Sequence, residues 1–379
     1  MATYRETEAG NYEFFVEMGK DPSTGKRVRK SKTFSRVKDG KKWAADMELK
    51  KKGELIVDAK KYTIADLLQE WYEDYAEVEL SVTTYQGYKV IINTHLIPAL
   101  GALRANDLQG RHVKSYIKKK LKDGRANGKG GLSKTTIVQH YRVLSQALKY
   151  GRRWNIINHD PLEFVDPPSK DDPEIKHMTK EEVKQLLDAA EGWIHDFIYL
   201  AVNTGMRRGE LMGLRWSDVE FENKILRVRQ TLVVDQNGGS VFKKPKSKAS
   251  IRGIDITDDV IEILKNRKKE QNKNKLALGP DYVDKYNLVF CKGNGDKLYP
   301  QTATSRFKRA AKKAGFEGYN IHTLRHTHAT FMLQNNVHPR VVQERLGHSD
   351  ISTTLNTYSH VIPSMQKEAA EKLKNFMDI

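Results

Sequence analysis

A single cysteine, Cys291, stands in 379 residues, so the chain can form neither an internal disulfide nor a zinc site of several thiolates. Long apolar runs are missing too: none approaches the roughly 18 to 20 residues of a membrane span, and the first residues lack the apolar core of a signal peptide. A cytoplasmic protein with no membrane partner is expected. Acidic residues are in deficit, 48 against 66 basic ones, for a net charge of +18. With 38% apolar residues the chain is an ordinary globular one, long enough for two or three domains, and the excess charge points to a polyanionic partner.

The basic residues gather in two runs. Lys26 to Lys42 holds nine of them against Asp39 alone, and Arg111 to Lys134 holds nine against Asp123 alone. Taken singly, each run reads equally well as a solvated face. If DNA is the partner, the candidate contacts are Arg27, Arg29, Lys30 and Lys32 in the first and Lys118, Lys119 and Lys120 in the second.

Tyr12, Phe14, Val16 and Met18 alternate with Glu13, Phe15 and Glu17, the period of a strand. Asp21 to Gly25 reads as a hairpin turn, and a return strand precedes a helix through Trp43 and Met47 that stops at Gly53. From Tyr62 the period becomes helical, with Thr63 as cap and Ile64, Leu67, Leu68, Trp71 and Tyr75 on one face. Further helices are expected over Thr83–Leu96, Gly110–Leu121 and Lys134–Tyr150. Gly124, Gly128 and Lys129 lack the spacing of a phosphate-cradling loop. Prolines from Pro161 to Pro173 mark a domain boundary. Beyond it a capped helix begins at Thr179, and Ile225 to Ile256 is rich in strands.

Four separated segments carry the chemistry. Thr204 to Leu214 places Arg207 and Glu210 three apart, where the carboxylate can orient the guanidinium. Phe242 to Ile256 holds Lys246 in a turn between strand patterns. His322 to Met332 places His322 and Arg325 three apart. Leu346 to Val361 gives His348 just after a helix ending at Gly347, then Tyr358. Each has an ordinary alternative: a helix ion pair for Arg207 and Glu210, and a packed ring for Tyr358, which repeats with Ile351 and Leu355. The rival reading of His322, His326 and His328 is a set of metal ligands, but Arg325 and threonines stand where a metallohydrolase would want a carboxylate.

In this order and spacing, Arg207, Lys246, His322, Arg325, His348 and Tyr358 resemble the pattern of the tyrosine recombinases, integrases of the phage lambda and conjugative-transposon type. The resemblance implies a multidomain protein, mainly α with small β-sheets. Residues 1–58 would be a three-stranded arm-type DNA-binding domain, 61–165 a helical core-binding domain, and 174–379 a mixed α+β catalytic domain. It also implies duplex DNA with core-type and arm-type sites as partner, a homotetramer on DNA, and room for an accessory DNA-bending protein and an excisionase. Tyr358 would attack a phosphodiester and form a 3′-phosphotyrosine with no metal or nucleotide cofactor. Arg207 and Arg325 would bind the non-bridging oxygens and His348 would donate to them. His322 would be the general base, Lys246 the acid at the 5′ oxygen, and Glu210 the support of Arg207. Met365, Ala369, Leu373 and Phe376 form an apolar stripe suited to docking on a neighbouring protomer.

Overall fold

The computed structural model describes residues 3–7, 10–20, 27–51, 62–126, 128, 130–169, 176–235, 238–245 and 247–358. The expected turn at Asp21–Gly25, the stop at Gly53, Lys129, Lys246 and the stripe from Met365 to Phe376 lie outside them. The chain divides into two compact units, Met1–Asp172 and Pro173–Ile379.

The first unit begins with an antiparallel sheet of β1 (Thr3–Glu6), β2 (Tyr12–Lys20) and β3 (Arg27–Phe34), in that order. Alternation on β2 buries Phe14, Val16 and Met18 with Ala44 and Met47 of the helix Val37–Lys51. The four basic residues of β3 are exposed but do not share a face. Val28 and Phe34 pack on the helix side, so by the period of two Lys30 and Lys32 lie on that side at the sheet's edge. Arg27 and Arg29 lie on the open face, where the Arg29 guanidinium sits 3.9 Å from the Phe15 ring centre, with Arg5 at 5.4 Å from the same ring.

A second apolar core gathers the helices Ile64–Trp71, Val82–Ile91, Gly110–Lys122 and Lys134–Arg153. Thr63 caps the first of these through a reciprocal pair with Asp66. Ile64, Leu67, Leu68 and Trp71 are buried as expected, but Tyr75 is 42% exposed. A wide π turn over Tyr72–Ala76 inserts one residue into the helical period, which brings Tyr72 and Ala76 inward and turns Tyr75 out. A second such turn, Ile92–Leu96, carries the expected Thr83–Leu96 helix on to Leu100. Lys118 and Lys119 are exposed, whereas Lys120 is half-buried with its Nζ 3.3 Å from His95 Nδ1. Burial, then Lys119, lowers its pKa.

In the second unit β5 (Ile225–Val228) pairs with β4 (Val219–Glu220) and β8 (Arg252–Asp255), while β6 (Thr231–Val234) and β7 (Ser240–Lys243) form a hairpin. Helices Lys180–Ala189, Trp193–Thr204, Asp258–Leu278, Pro300–Lys313 and Ile321–Gln334 pack around them on a core that includes Phe197, Phe290, Phe307 and Leu324. Cys291 is buried in this unit, with Gln271 Nε2 3.2 Å from its Sγ, and burial raises its pKa. No helix among the described residues is long and apolar enough to cross a membrane.

Candidate active site

Several elements of the second unit meet at one place. The helix Trp193–Thr204 ends at Gly205, whose φ of +63° is left-handed and whose missing Cβ would fall 2.6 Å from the His328 ring, so only glycine fits. The bend turns the chain into Arg207, the N-cap of the helix Arg208–Met212. Glu210 lies in the first turn of that helix, where its Oε2 accepts the Arg207 backbone N–H at 2.9 Å and its Oε1 accepts the guanidinium at 2.8 Å. Glu210 therefore supports Arg207, from a cap rather than from a shared helical face.

The carboxylate has a second guanidinium. Arg252 of β8, with a side chain 7% exposed, donates from Nη2 to Glu210 Oε2 at 3.0 Å. Burial alone would raise the Glu210 pKa; Arg252 and then Arg207 outweigh it and hold the group below the ordinary carboxylate value. Arg252 is a site residue that the motif pattern does not contain. It stands 42 residues from Glu210, and an arginine within a strand pattern carries no local mark of such a partner.

Arg325, 5% exposed, lies in the first turns of the helix Ile321–Gln334, capped by Asn320. Its Nη1 donates to Gly205 O and its Nη2 to Leu346 O, both at 2.7 Å. The last carbonyls of the helix Pro339–Leu346 are in fact shared among three arginines. Arg345 O accepts from Arg252 at 2.6 Å, Leu346 O from Arg325, and Gly347 O from Arg207 at 3.4 Å. A helix C-terminus leaves such carbonyls without intrahelical partners and carries partial negative charge, so it can hold cations that would otherwise repel one another. Three guanidiniums nonetheless face one carboxylate. Burial, then Arg207, presses the Arg325 pKa down to about 9, and an incoming anion would relieve that cost.

Gly347, at φ +67°, ends this helix; a Cβ there would lie 2.9 Å from Arg252 Nη1. The next residue, His348, bonds through Nδ1 to Thr354 Oγ1 at 2.9 Å. Burial, then Arg325 and Arg207, lowers its pKa to about 4, so the ring is neutral at pH 7. With Nδ1 accepting from the threonine hydroxyl, Nε2 carries the proton and is a donor. Arg207, Glu210, Gly347 and His348 line a cleft of about 420 Å³ together with Thr231, Pro245 and Ser247. Pro245 and Ser247 are the sequence neighbours of Lys246.

Tyr358 lies in the helix Ile351–Tyr358 and is 1% exposed. Its packing differs from the expected stripe: Leu355 is exposed, and the ring sits among Ala329, Leu333, Val342 and Leu346. Its Oη lies 2.8 Å from Nδ1 of His326. Burial raises the hydroxyl's pKa to about 12, against the opposing pull of Arg325. The resemblance implies His322 as the base, whereas the imidazole that bonds the tyrosine in this structure is that of His326. His322 and His326 are four apart on one face, and Tyr358 meets the second of them, one turn further along the helix. His322 keeps an exposed edge in the first turn; loss of water around the rest of the ring, then Arg325 and Arg207, lowers its pKa.

His328 points elsewhere. Its Nδ1 donates to Val202 O at 2.7 Å and its Nε2 accepts from Arg345 Nε at 3.2 Å, which uses both nitrogens and leaves no lone pair for a metal. Among the described residues no group of three or more His, Cys, Asp or Glu could hold a metal ion. Burial, then Arg345, lowers the His328 pKa from 6.5 to about 3. Above pH 6.5 the folded and unfolded chains are both neutral here. Between pH 6.5 and about 3 only the unfolded chain takes the proton, so stability falls as pH falls, by at most about 1.4 kcal/mol per pH unit. Urea midpoints at pH 7.5 and 5.0 will show the drop; an unchanged midpoint would contradict the buried neutral ring.

The phage integrase family matches residues 176–365, and the N-terminal SAM-like domain of phage integrases matches residues 63–121. A protein described as tyrosine recombinase XerC-like, from Caldanaerobacter subterraneus subsp. tengcongensis, is 28% identical over 96% of this chain and 96% of its own. The ICEBs1 integrase of Bacillus subtilis is 24% identical over 98% of this chain and 99% of its own. The tyrosine recombinase XerA of Pyrococcus furiosus is 30% identical over 62% of this chain and 74% of its own. Among solved structures, the Tn1549 transposon integrase in complex with a circular intermediate DNA shares the fold at a TM-score of 0.69, with 23% identity, covering 83% of this chain and all of that one. A lambda integrase dimer bound to a core site aligns over 96% of this chain and 95% of its own at a TM-score of 0.57 and 18% identity.

Proposed function

The chain belongs to the phage integrase family, and from that membership we propose what each residue of the site does. The protein is a tyrosine-type site-specific DNA recombinase that acts in the integration and excision of a mobile element, with duplex DNA as substrate and a tetramer as its assembly on DNA. Tyr358 attacks the scissile phosphodiester, forming a 3′-phosphotyrosine and freeing the 5′ oxygen. Arg207 and Arg325 bind the non-bridging oxygens, whose negative charge grows during attack, and His348 donates to them from Nε2. Glu210 holds Arg207. Lys246 protonates the departing oxygen.

The observation that carries this reading is a pair of guanidiniums on one carboxylate with a third, Arg325, held on the carbonyls of Gly205 and Leu346, beside a cleft and a buried tyrosine. It is an arrangement for an anionic substrate and a phenolic nucleophile. Residues 1–58 take arm-type sites, with Arg27 and Arg29 on the open sheet face and Lys30 and Lys32 at its edge. Residues 61–165 take core sites through Lys118, Lys119 and the more enclosed Lys120, and residues 174–379 do the chemistry. An accessory DNA-bending protein, an excisionase and residence in the cytoplasm belong to the same proposal.

The test is incubation with duplex DNA from the element's own joined ends in excess EDTA, followed by a denaturing gel. A covalent protein–DNA band is the expected result. Cleavage that stops in EDTA and returns with zinc or manganese would assign the chemistry to a metal instead.

A further inference from the structure

We propose that His326, one residue beyond the Arg325 of the motif, is the proton acceptor for Tyr358. The inference rests on the reading of Tyr358 as nucleophile. Nδ1 of His326 lies 2.8 Å from the Tyr358 hydroxyl, which is hydrogen-bond contact with the reacting atom itself. With the hydroxyl donating, Nδ1 carries the lone pair and the ring's own proton sits on Nε2. The contact is built into two elements. His326 is fixed in the helix Ile321–Gln334 directly after Arg325, whose side chain is pinned to two carbonyls, and Tyr358 is fixed among Ala329, Leu333, Val342 and Leu346.

The charges around the ring keep it neutral. His322 is 5.9 Å away, ring centre to ring centre; Arg325 precedes it on the same helix, and His348 faces it from the bend after Gly347. Burial, then His322 and Arg325, lowers the His326 pKa to about 4, so the lone pair is free at pH 7. As a base against a phenol at about 12 the imidazole is weak in the resting site. That balance changes along the reaction. As the Oη–P bond forms, the phenol oxygen becomes an ester oxygen that cannot keep its proton, and the bound phosphate offsets the arginine charges that depress the imidazole.

The step then balances. The Oη–H proton passes to Nδ1, an Oη lone pair forms the bond to phosphorus, and the P–O5′ bond breaks with its electron pair on O5′, which Lys246 protonates. In the rejoining step the imidazolium returns its proton to Oη.

The experiment uses the full-length protein on a nicked suicide substrate made from the element's joined ends, measuring the rate of adduct formation. In His326→Asn the amide oxygen takes the place of Nδ1, so the hydrogen bond survives without the basicity. Its rate is expected to fall at least a hundredfold, within the roughly 10²- to 10⁴-fold range of general-base catalysis, with DNA binding kept. His326→Ala should be equally slow and be accelerated by added imidazole. A His326→Asn rate within twofold of the parent, or a His326→Ala variant that imidazole does not accelerate, overturns the role. Tyr358→Phe is run alongside: an adduct there would mean that the nucleophile is misassigned. Loss of that adduct together with a fast His326→Asn would sink the base alone.

Discussion

Replacing Tyr358 by phenylalanine will abolish the covalent protein–DNA adduct while leaving the protein folded and bound to its site. The substitution removes one oxygen and keeps the ring packed among Ala329, Leu333, Val342 and Leu346. The hydrogen bond to His326 is lost, a change of about 1 kcal/mol, and the half-buried imidazole can turn to water. Thr354 stays in place to hold His348. Adduct yield on a suicide substrate should therefore drop to background, with the thermal midpoint and the DNA affinity close to those of the parent. An adduct in this variant would move the nucleophile to another tyrosine, with Tyr319 and Tyr299 the next to replace. Tyr319 packs edge-on against Phe316, and Tyr299 is exposed ahead of the helix Pro300–Lys313.

Arg207→Ala will act differently, because the nucleophile remains while a cation at the non-bridging oxygens is lost. By the measure of oxyanion-site donors the effect is roughly 3 to 4 kcal/mol, or several hundredfold in the cleavage rate. The fold should bear the change, since the buried Glu210 still has Arg252, which donates to both carboxylate oxygens. Single-turnover cleavage will show a slow but finite rate, in contrast to the tyrosine variant. A rate within threefold of the parent would remove Arg207 from the transition state. Because Arg252 is pinned to Glu210, Arg345 O and Ser250 O, it cannot take Arg207's place.

The local signals in this chain were legible wherever a residue and its partner lie within one turn. Thr63 with Asp66 and Thr179 with Glu182 form the caps that their spacing announces, and Arg207 finds Glu210 three residues on. The period failed at Tyr75, since a π turn adds a residue that no composition rule marks. On β3 the period of two divides a cluster of basic residues in sequence between two sides. Arg252 was out of reach because its partners are a carboxylate on another element and a main-chain carbonyl, which leave no trace in side-chain spacing. His326 was within reach: four residues from His322, it shares a helical face with it, and either histidine could have met the tyrosine. The choice depended on where the helix Ile351–Tyr358 lands, and that is settled by packing rather than pattern.

Cys291 has a practical consequence of its own. Its thiol is enclosed by Gln271 and Tyr282, and its raised pKa keeps it in the unreactive protonated form at neutral pH. The natural chain is thus nearly ready for site-directed labelling. A cysteine placed on an exposed position, such as Ser31 on β3 or Asn356 near the nucleophile, would meet a maleimide dye far faster than the native thiol does. Fluorophores attached there would report distances between subunits assembled on DNA without first stripping the protein of its own sulfur.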